Sequence, residues 1–528
     1  MKRYELAVIG AGPAGLSAAI KAAEAGIETV VFDENSAPGG QLFKQVHKFF
    51  GSERNQAGTR GIRIGDNLLK RAQEAGVTVV LNAVVEGIYL DHELLVRIGD
   101  GVVHYKADAV LVATGASENA VAFEGWDLPG VMGAGAAQTL MNLHGVKPGE
   151  RIVLLGTGNV GLVVAYQLLQ AGCKVVALAD ASASITGYGV HAARVARYGV
   201  PFYLPYSIRR AEGNDHVERV VLAKLDNNGK FIDGSDIVLE ADTVLLAVGL
   251  SPMCRILKNL GCAIVDDRSK GGVVPVIDDD YKTSVEGVFA AGNVTAVEEA
   301  STAMLEGEIA AVRIAEHLGY TDSDSADTEA SKLNADLSDL RQGMFAPQNK
   351  GKSFDKTDEG YPLSQTLLKK GYLKTEELRE FPNFADSVGI HPVIECTQNI
   401  PCNPCFKLCP KKCILSGDSL TAIPKRSYEN TCIGCGACVA GCPGQAIFLV
   451  NKNSSEETAE ITLPYEFLPI PEVGEFGTGL SRSGERLARA RVVRVRTSPA
   501  YDRTTLLTIA VPIEFADEVR AYERSDEQ

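Results

Sequence analysis

Two glycine loops, each between an apolar strand and a helix, and a late run of cysteines predict the fold class of this 528-residue chain. The expected fold class is α/β, with two Rossmann-like nucleotide-binding domains, an α+β ferredoxin-like domain and a small β-rich C-terminal segment. Three or four domains are expected at roughly 150 residues per domain.

The first nucleotide-binding fold is predicted at the N-terminus. An apolar strand at 5–9 precedes a glycine loop, a helix over 16–25 and a second strand over 28–32. Such a loop brings a dinucleotide pyrophosphate to the first backbone N–H groups of the helix. An acid after the second strand accepts the ribose hydroxyls, and here it is Asp33, with Glu34 as the adjacent alternative. The candidate loop residues are Gly10, Gly12, Pro13, Ala14 and Gly15.

A second fold of this kind is predicted from Arg151–Gly161, RIVLLGTGNVG, with candidate residues Gly156, Gly158 and Gly161. Counting along the chain places Ala179, followed by Asp180, at the position equivalent to Asp33. No arginine stands nearby to pair with a 2′-phosphate, so NADPH is not expected. Two alternatives stay open for this fold, NAD binding and loss of nucleotide binding.

Polar and charged residues dominate 321–390, which predicts a connector with short helices at 337–341 and 364–370. The ferredoxin-like domain is expected over 391–450 and the β-rich segment over 451–528. Seven arginines lie between Arg482 and Arg503. They fit either a solvated strand face or a docking site for an acidic partner.

The cysteines predict iron–sulfur clusters. Nine of the 12 lie between Cys396 and Cys442, and the second run has the C-x2-C-x2-C-x3-C-P spacing of cubane-cluster ligands. In two-cluster ferredoxins the first three cysteines of a run hold one cluster and the fourth holds the other. This rule predicts one [4Fe-4S] cluster on Cys432, Cys435, Cys438 and Cys409, and a second on Cys396, Cys402, Cys405 and Cys442.

The first run departs from the pattern, because Asn399 occupies the position of its leading cysteine. Cys396, three residues earlier, can loop in as a ligand. Cys413 is then a small apolar residue, or it is a substitute ligand if Cys396 is not used. A single cluster is one alternative. Zinc, or no metal at all, is another, although zinc needs only four sulfurs and has no use for the exchanged fourth cysteine.

The net charge, the apolar stretches and the cysteine distribution indicate which classes of partner and which compartment to expect. The net charge of −15 disfavours nucleic acid and anionic membranes. No apolar stretch is long enough for a membrane span, and a strand that begins at Tyr4 leaves no room for a signal peptide. We expect a cytoplasmic protein with no membrane span and no nucleic-acid partner. Grouped cysteines favour metal ligation in a reducing compartment over disulfides.

Over residues 1–320 the order GxGxxG, GGQ, ATG, GxGxxG and GVFAAGN resembles the flavoprotein disulfide reductase superfamily with two dinucleotide-binding domains. This resemblance implies FAD, bound by a discontinuous domain of 1–117 and 251–320, with an NAD-type domain of 118–250 inserted. It also implies contacts with the flavin, adenine and ribityl groups by, in that order, Gly40 and Gln41, Thr114 and Gly115, and Gly292 and Asn293. The superfamily usually has aspartate at the position of Asn293.

The redox-active dithiol of that superfamily is missing, because no cysteine occurs near 39–50 and Cys173 stands alone. Disulfide reduction is therefore excluded. The stretch FEGWDLPGVM at 123–132 resembles the large flavoprotein subunits of amine and amino-acid dehydrogenases, including those of sarcosine oxidase, hydrogen cyanide synthase, opine oxidase and dye-linked proline dehydrogenase. This resemblance implies that the partner is a second flavoprotein dehydrogenase subunit, and that a small iron–sulfur subunit is an optional third component.

Together these features predict an electron-transfer subunit of a dehydrogenase for an amine, amino acid or related small substrate. A flavin exchanges two electrons with a hydride donor and passes them singly to clusters, and then to a one-electron acceptor such as ferredoxin. One alternative is a self-contained NADH-dependent reductase, and another is a non-catalytic scaffold. The eight histidines are dispersed, so no general base or other catalytic residue is assigned.

Overall fold

The computed structural model describes residues 1–343, 361–379, 381–384 and 389–525. They form two compact units. The first unit comprises Met1–Glu118 and Gly249–Gln342. The second unit comprises Asn119–Val248, Gly343 and the described residues from 361 onward.

Residues 1–118 form a Rossmann-like fold, as the sequence predicts. Its strands are β1 (Lys2–Ile9), β2 (Thr29–Phe32), β3 (Thr78–Val80), β4 (Ala83–Ile88), β5 (Glu93–Ile98), β6 (Gly101–Val112) and β7 (Ala116–Glu118), and its helices are α1 (Pro13–Glu24) and α2 (Gly61–Glu74). The sheet order is β3-β2-β1-β6-β5-β4, parallel from β3 to β6 and antiparallel beyond. All four residues of β2 are buried, because a parallel sheet is covered on both faces.

Residues 119–248 contain the second Rossmann-like fold. Its helices are α3 (Ala134–His144), α4 (Asn159–Gln170) and α5 (Gly189–Ala196), and its strands are β8 (Val131–Gly133), β9 (Arg151–Leu155), β10 (Lys174–Ala179), β11 (Phe202–Tyr203), β12 (Tyr206–Glu212), β13 (Arg219–Lys224), β14 (Ile237–Glu240) and β15 (Thr243–Leu246). The parallel sheet has the order β11-β10-β9-β15-β8, and β12, β13 and β14 form a separate antiparallel sheet.

Residues 249–342 return to the first unit. They form β16 (Leu250–Pro252), α6 (Arg255–Leu260), β17 (Ile264–Asp267), β18 (Gly272–Pro275), β19 (Val288–Ala290), α7 (Ala300–His317) and α8 (Ser323–Leu340). Strand β19 pairs in parallel with β6, so the chain rejoins the first sheet.

Helix α8 corrects the predicted short helix at 337–341, since it has 18 residues. Its composition is polar, but Ala326, Ala330, Leu333 and Leu337 recur at helical spacing and are buried. The carboxylate of Asp322 caps its first turn by accepting the N–H of Ser325 at 2.9 Å.

The last part of the chain forms α9 (Tyr361–Lys370), α10 (Thr375–Leu378), β20 (His391–Ile394), α11 (Pro404–Leu408), β21 (Ile414–Leu415), β22 (Lys425–Arg426), α12 (Ala437–Gly441), β23 (Ile447–Asn451), β24 (Thr458–Tyr465), β25 (Phe476–Leu480), β26 (Arg486–Arg496), β27 (Thr505–Pro512) and β28 (Ala521–Arg524). The sheet order β20-β23-β24-β27-β26-β25-β28 is antiparallel throughout. The predicted boundary at 450 falls within β23, so strands on both sides of it share one sheet.

None of the helices in the described part of the chain combines the length and the apolar character that a membrane crossing requires.

Candidate functional site

The first glycine loop makes a tight junction between β1 and α1. Gly10 has a φ of +108°, and a Cβ there would lie 2.4 Å from the carbonyl oxygen of Ala113. A Cβ on Gly40 would lie 3.0 Å from the Cα of Gly12. Gly12 is the N-cap of α1, Pro13 begins the helix, and no side chain caps its first turn. The N–H groups of that turn can therefore receive an anionic group.

Ala14 and Gly15 are buried at the start of α1. A Cβ on Gly292 would lie 2.7 Å from the Cβ of Ala14. The structure thus brings the predicted residue Gly292 against the first glycine loop, although 282 positions separate Gly292 from Gly10.

Asp33 directly follows β2, and the protein itself engages its carboxylate. One oxygen accepts the backbone N–H of Ala11 at 2.6 Å, and the other accepts the backbone and side-chain N–H groups of Asn35 at 2.8 Å each. Asp33 is buried, whereas Glu34 is exposed. Asp33 therefore fixes the glycine loop, and Glu34 is the acid that faces outward.

Three of the other predicted residues lie in two turns of the first unit. Gln41 is exposed in the short 3-10 helix Gly40–Lys44. Thr114 follows β6 and donates its hydroxyl to the carbonyl oxygen of Met253 at 2.8 Å. Gly115 follows with a φ of +72°, where a Cβ would meet open space.

A buried ion cluster that the sequence did not predict holds the turn at Gly292 and Asn293. Gly292 donates its N–H to Glu306 at 2.8 Å, and the side-chain oxygen of Asn293 accepts the N–H of Glu298 at 3.2 Å. Arg341 makes two hydrogen bonds of 2.8 Å to Glu298 and one of 2.5 Å to Glu306. Burial opposes the charge of Arg341, but these carboxylates raise its pKa above the ordinary value.

The second glycine loop repeats the geometry of the first. The carboxylate of Asp180 accepts the N–H and the hydroxyl of Thr157, both at 2.7 Å, as Asp33 accepts the N–H of Ala11. Gly156 donates its N–H to the carbonyl of Ala179 at 2.7 Å, as Gly10 donates to Phe32 at 2.8 Å. Gly158 is the N-cap of α4, and Gly161 is buried in that helix.

This geometry corrects the predicted equivalence of Ala179 and Asp33, because Asp180 occupies that position. Strand β10 carries an irregularity between Val175 and Ala177 that adds one residue. Counting from the glycine loop therefore falls one residue short. Ala181 then follows Asp180 where Glu34 follows Asp33, so the second fold has no acid at the position of Glu34.

The second cysteine run folds around a pocket. Four of the predicted ligands line it, together with Cys413 and the exposed residues Lys411 and Ile433; the four are Cys409, Cys432, Cys435 and Cys438. Gly434 and Gly436 have φ values of +69° and +76°, a conformation that only glycine adopts without strain and that turns the chain between these cysteines.

Burial and neighbouring thiols together raise the pKa of Cys438 well above its ordinary value. The neighbours responsible are Cys432, Cys435 and Cys409, with a smaller contribution from Cys405. Gly434 donates its N–H to the sulfur of Cys432 at 3.4 Å. Neutral thiols in such a place become thiolates only when a positive charge is supplied.

Three of the remaining predicted ligands, Cys396, Cys405 and Cys442, pack in the same buried cluster as Cys432 and Cys438. Burial raises the pKa of Cys405 to about 12, with Cys442 as the next contribution, and burial, Cys442 and Cys405 raise that of Cys396. The sulfur of Cys442 accepts the N–H of Ala446 at 3.4 Å. Cys402 is half-buried just before α11.

Cys413 lies in the pocket that Cys409, Cys432, Cys435 and Cys438 line. It donates its N–H to the sulfur of Cys409 at 3.1 Å. Burial comes first, and Cys409 next, among the causes that raise the pKa of Cys413 to about 11. Asn399, at the vacant ligand position, donates its amide to the carbonyl of Thr421 at 3.1 Å.

The second Rossmann-like fold packs against the loop that follows Cys442. Tyr166 of α4 donates its hydroxyl to the side chain of Gln445 at 3.1 Å, and Arg197, directly after α5, donates to the carbonyl of Gln445 at 2.8 Å. Both side chains are buried. The cysteine-rich segment is therefore fixed to the second nucleotide-binding fold within one unit.

Beside Cys396, Glu395 forms a buried ion cluster that the sequence did not predict. Arg482 contacts its carboxylate at 3.1 and 2.7 Å, and Arg520 at 2.5 Å. Burial favours the neutral carboxyl group, but the two arginines lower the pKa of Glu395 to about 2.

Among the described residues, no group of three or more His, Cys, Asp or Glu side chains is gathered closely enough to hold a single metal ion. The thiols are also free of disulfides.

The profile of the family described as pyridine nucleotide-disulphide oxidoreductase matches residues 4–307, more than half of the chain. The chain belongs to this family. It is therefore an oxidoreductase with the FAD-binding fold of that family, and all nine clustered cysteines lie outside the matched residues.

Curated relatives agree with the family. A subunit of opine oxidase from Agrobacterium tumefaciens (strain Ach5) is 27% identical over 359 residues, which covers 63% of this chain and 69% of the relative. Subunit HcnB of hydrogen cyanide synthase from Pseudomonas aeruginosa is 26% identical over 332 residues, covering 58% and 70%. Both similar proteins are enzyme subunits by name, and the first is a subunit of an oxidase.

The solved structure of thioredoxin reductase from T. acidophilum superposes with a TM-score of 0.50 at 22% identity, covering 61% of this chain and 100% of that one. This likeness shows the fold alone.

Proposed function

We propose that this chain is the FAD and iron–sulfur electron-transfer subunit of a multi-subunit dehydrogenase. Its substrate is an amine, an amino acid or a related small molecule, oxidised with a second flavoprotein subunit. Electrons pass from FAD to two [4Fe-4S] clusters and on to a one-electron acceptor of the ferredoxin type. The subunit names of the similar proteins support the multi-subunit role.

The observation that carries this proposal is the pocket that four of the predicted ligands share. Cys409, Cys432, Cys435 and Cys438 line it, and Cys396, Cys405 and Cys442 pack in the same buried cluster as Cys432 and Cys438. A cubane cluster is larger than a single ion, so its ligands stand further apart than zinc ligands do. It also supplies the positive charge that buried thiolates need, and N–H donors to cysteine sulfur tune its potential.

We assign the first glycine loop to the FAD pyrophosphate. The uncapped first turn of α1 and the close approach of Gly40 to Gly12 fit an anion held by backbone N–H groups. Glu34 is the proposed ribose acceptor, because the carboxylate of Asp33 is used inside the protein. The remaining proposed contacts are those of Gln41, Thr114, Gly115, Gly292 and Asn293.

Replacing Glu34 with alanine should weaken FAD binding about 10-fold to 100-fold, because a charge-assisted hydrogen bond contributes roughly 1.5–3 kcal/mol. Glu34 is exposed, so the unfolding midpoint should stay within experimental error. Flavin fluorescence on titration of the apoprotein measures the affinity. Glu24→Ala, an exposed acid at the end of α1, is the matched control. Unchanged FAD affinity in Glu34→Ala would indicate that Asp33, and not Glu34, accepts the ribose hydroxyls.

The proposed function is tested by purifying the chain anaerobically and measuring flavin, iron and sulfide together. We expect one FAD and about eight iron atoms per chain. A preparation that contains FAD but no iron after anaerobic reconstitution would contradict the electron-transfer role. A preparation that contains zinc in place of iron would contradict it as well.

A second candidate function is a self-contained NADH-dependent reductase. The intact geometry of the second glycine loop favours it, since Asp180 holds Thr157 as Asp33 holds Ala11. Ala181, in the place of Glu34, counts against it.

We expect NADH to reduce the isolated chain much more slowly than dithionite does, because the second loop lacks a ribose acceptor at Ala181. Stopped-flow absorbance of the flavin measures this rate under anaerobic conditions. Reduction by NADH at a catalytic rate, on the order of 10 per second, would instead favour the reductase.

A further inference from the structure

A cationic surface surrounds the pocket that Cys409, Cys432, Cys435 and Cys438 line, which we name the first thiol pocket. Lys411 and Ile433 line that pocket with the cysteines, and Lys412 is the exposed neighbour of Lys411. The segment Cys405–Cys413 has three lysines and no acid. Its local charge is thus opposite to the net charge of −15 of the chain.

Strand β26 extends this positive charge. It contains five arginines and no acid. A bulge between Val492 and Arg494 inserts one residue, so Arg494 and Arg496 project on the same face as Arg491. Arg496 donates to the carbonyl oxygens of Cys435 at 3.0 Å and Gly434 at 3.1 Å. The arginine row therefore ends at the rim of the pocket, and Arg491 begins it about 13 Å away along the strand, because the bulge leaves four regular steps between Arg491 and Arg496.

Four of these cations, Lys411, Lys412, Arg491 and Arg494, form no ion pair within the described part of the chain. The ion pairs of this strand and its surroundings engage Arg482 and Arg486, with Glu395 and Glu523 as partners. Arg491 and Arg494 are exposed and have no such pair among the described residues. Exposed charges of one sign beside a site steer oppositely charged partners toward it.

The surface also offers an apolar contact beside the pocket. Ile433, between two predicted ligands, lines the pocket and is 57% exposed. An apolar centre with a charged rim is the common plan of protein interfaces, and small interfaces of this kind suit transient electron transfer.

We propose that Lys411, Lys412, Arg491 and Arg494, which we name the cationic rim, dock an acidic one-electron carrier protein of the ferredoxin class over Ile433. The inference rests on the proposed function, because it supplies the physiological exit for electrons from the first cluster. It adds the surface, its sign of charge and the class of partner.

The test uses two paired charge reversals in the full chain, Lys411→Glu with Lys412→Glu and Arg491→Glu with Arg494→Glu. The control pair is Lys174→Glu with Lys230→Glu, exposed cations of the second fold that impose the same change in net charge. Iron content and the paramagnetic signal of the dithionite-reduced protein first establish that each variant retains its clusters.

Binding of a purified acidic [4Fe-4S] ferredoxin is then measured by calorimetry at low and physiological salt, and its reduction by stopped flow. Both rim pairs should lower the affinity and the second-order rate about 10-fold or more at low salt and flatten the salt dependence. The control pair should match the unmodified protein.

Rim variants that bind and reduce ferredoxin like the unmodified chain would overturn the docking surface, while the proposed function would stand on its iron and flavin. The opposite result would separate the two proposals as well. A chain without iron that still binds ferredoxin through the cationic rim would support the docking surface and contradict the electron-transfer role.

Discussion

Replacing Cys438 with serine should remove one of two cluster signals and about half of the iron, and leave FAD bound. Cys438 is the most buried predicted ligand, 7% exposed, and it shares a pocket with Cys409, Cys432 and Cys435. A serine oxygen is a poor substitute for a soft thiolate ligand. FAD should be unaffected, because its proposed site lies in the first unit and Cys438 in the second. Paramagnetic resonance of the reduced protein and iron analysis make the measurement.

Two further substitutions sharpen this prediction. Cys442→Ser should remove the other signal, because the cysteine spacing assigns Cys442 to the second cluster. Cys413→Ser is the matched control, since Cys413 lines the first pocket but is assigned no ligand role. Loss of a cluster in Cys413→Ser, with Cys409→Ser intact, would exchange the roles of these two cysteines.

Replacing Glu395 with glutamine should destabilise the second unit by about 3–5 kcal/mol, because it removes the carboxylate that two buried guanidinium groups share. Arg482 would then keep only the longer contact of 3.8 Å with Glu518. Arg482 and Arg520 are 5% and 1% exposed, and both donate to the carboxylate of Glu395. The urea midpoint of the unfolding transition measures the change. Unfolding is monitored by circular dichroism on the apoprotein, so that the clusters do not contribute to stability.

Glu523→Gln is the control for the same chemical change at the surface. Glu523 pairs with Arg486 at 2.7 Å, but the two side chains are 42% and 70% exposed. Such a pair contributes at most about 1 kcal/mol. Equal midpoints for Glu395→Gln and Glu523→Gln would show that the buried cluster does not stabilise the fold.

The sequence predicted elements well where one local pattern has one structural outcome. The strand, glycine loop and helix at Gly10–Glu24 and at Gly156–Gln170 are present in both folds. It failed where one extra residue shifts a register. Because of the irregularity in β10, the acid is Asp180 and not the residue at position 179, and no residue type in the sequence indicates the extra residue. Its physical signature is the hydrogen bond from Thr157, which only the structure shows.

Contacts between distant segments also escaped prediction. Arg341 meets Glu298 and Glu306, and Arg520 meets Glu395, across 43, 35 and 125 positions. Ion pairs between residues so far apart in the sequence produce no periodic pattern from which they could be predicted. Helix α8 was foreseeable in part, because Ala330, Leu333 and Leu337 follow the helical period within a polar composition. The thiol ligand sets, read from spacing alone, stay a prediction.

We propose that one chain carries FAD and two [4Fe-4S] clusters and passes electrons between them. The most direct test is an anaerobic reductive titration of the isolated chain, with flavin absorbance and paramagnetic resonance followed in the same samples. We predict that the flavin bleaches and that two cluster signals develop with it, about two spins per FAD at full reduction. Complete bleaching of the flavin without any cluster signal, in protein reconstituted with iron and sulfide, would contradict the account.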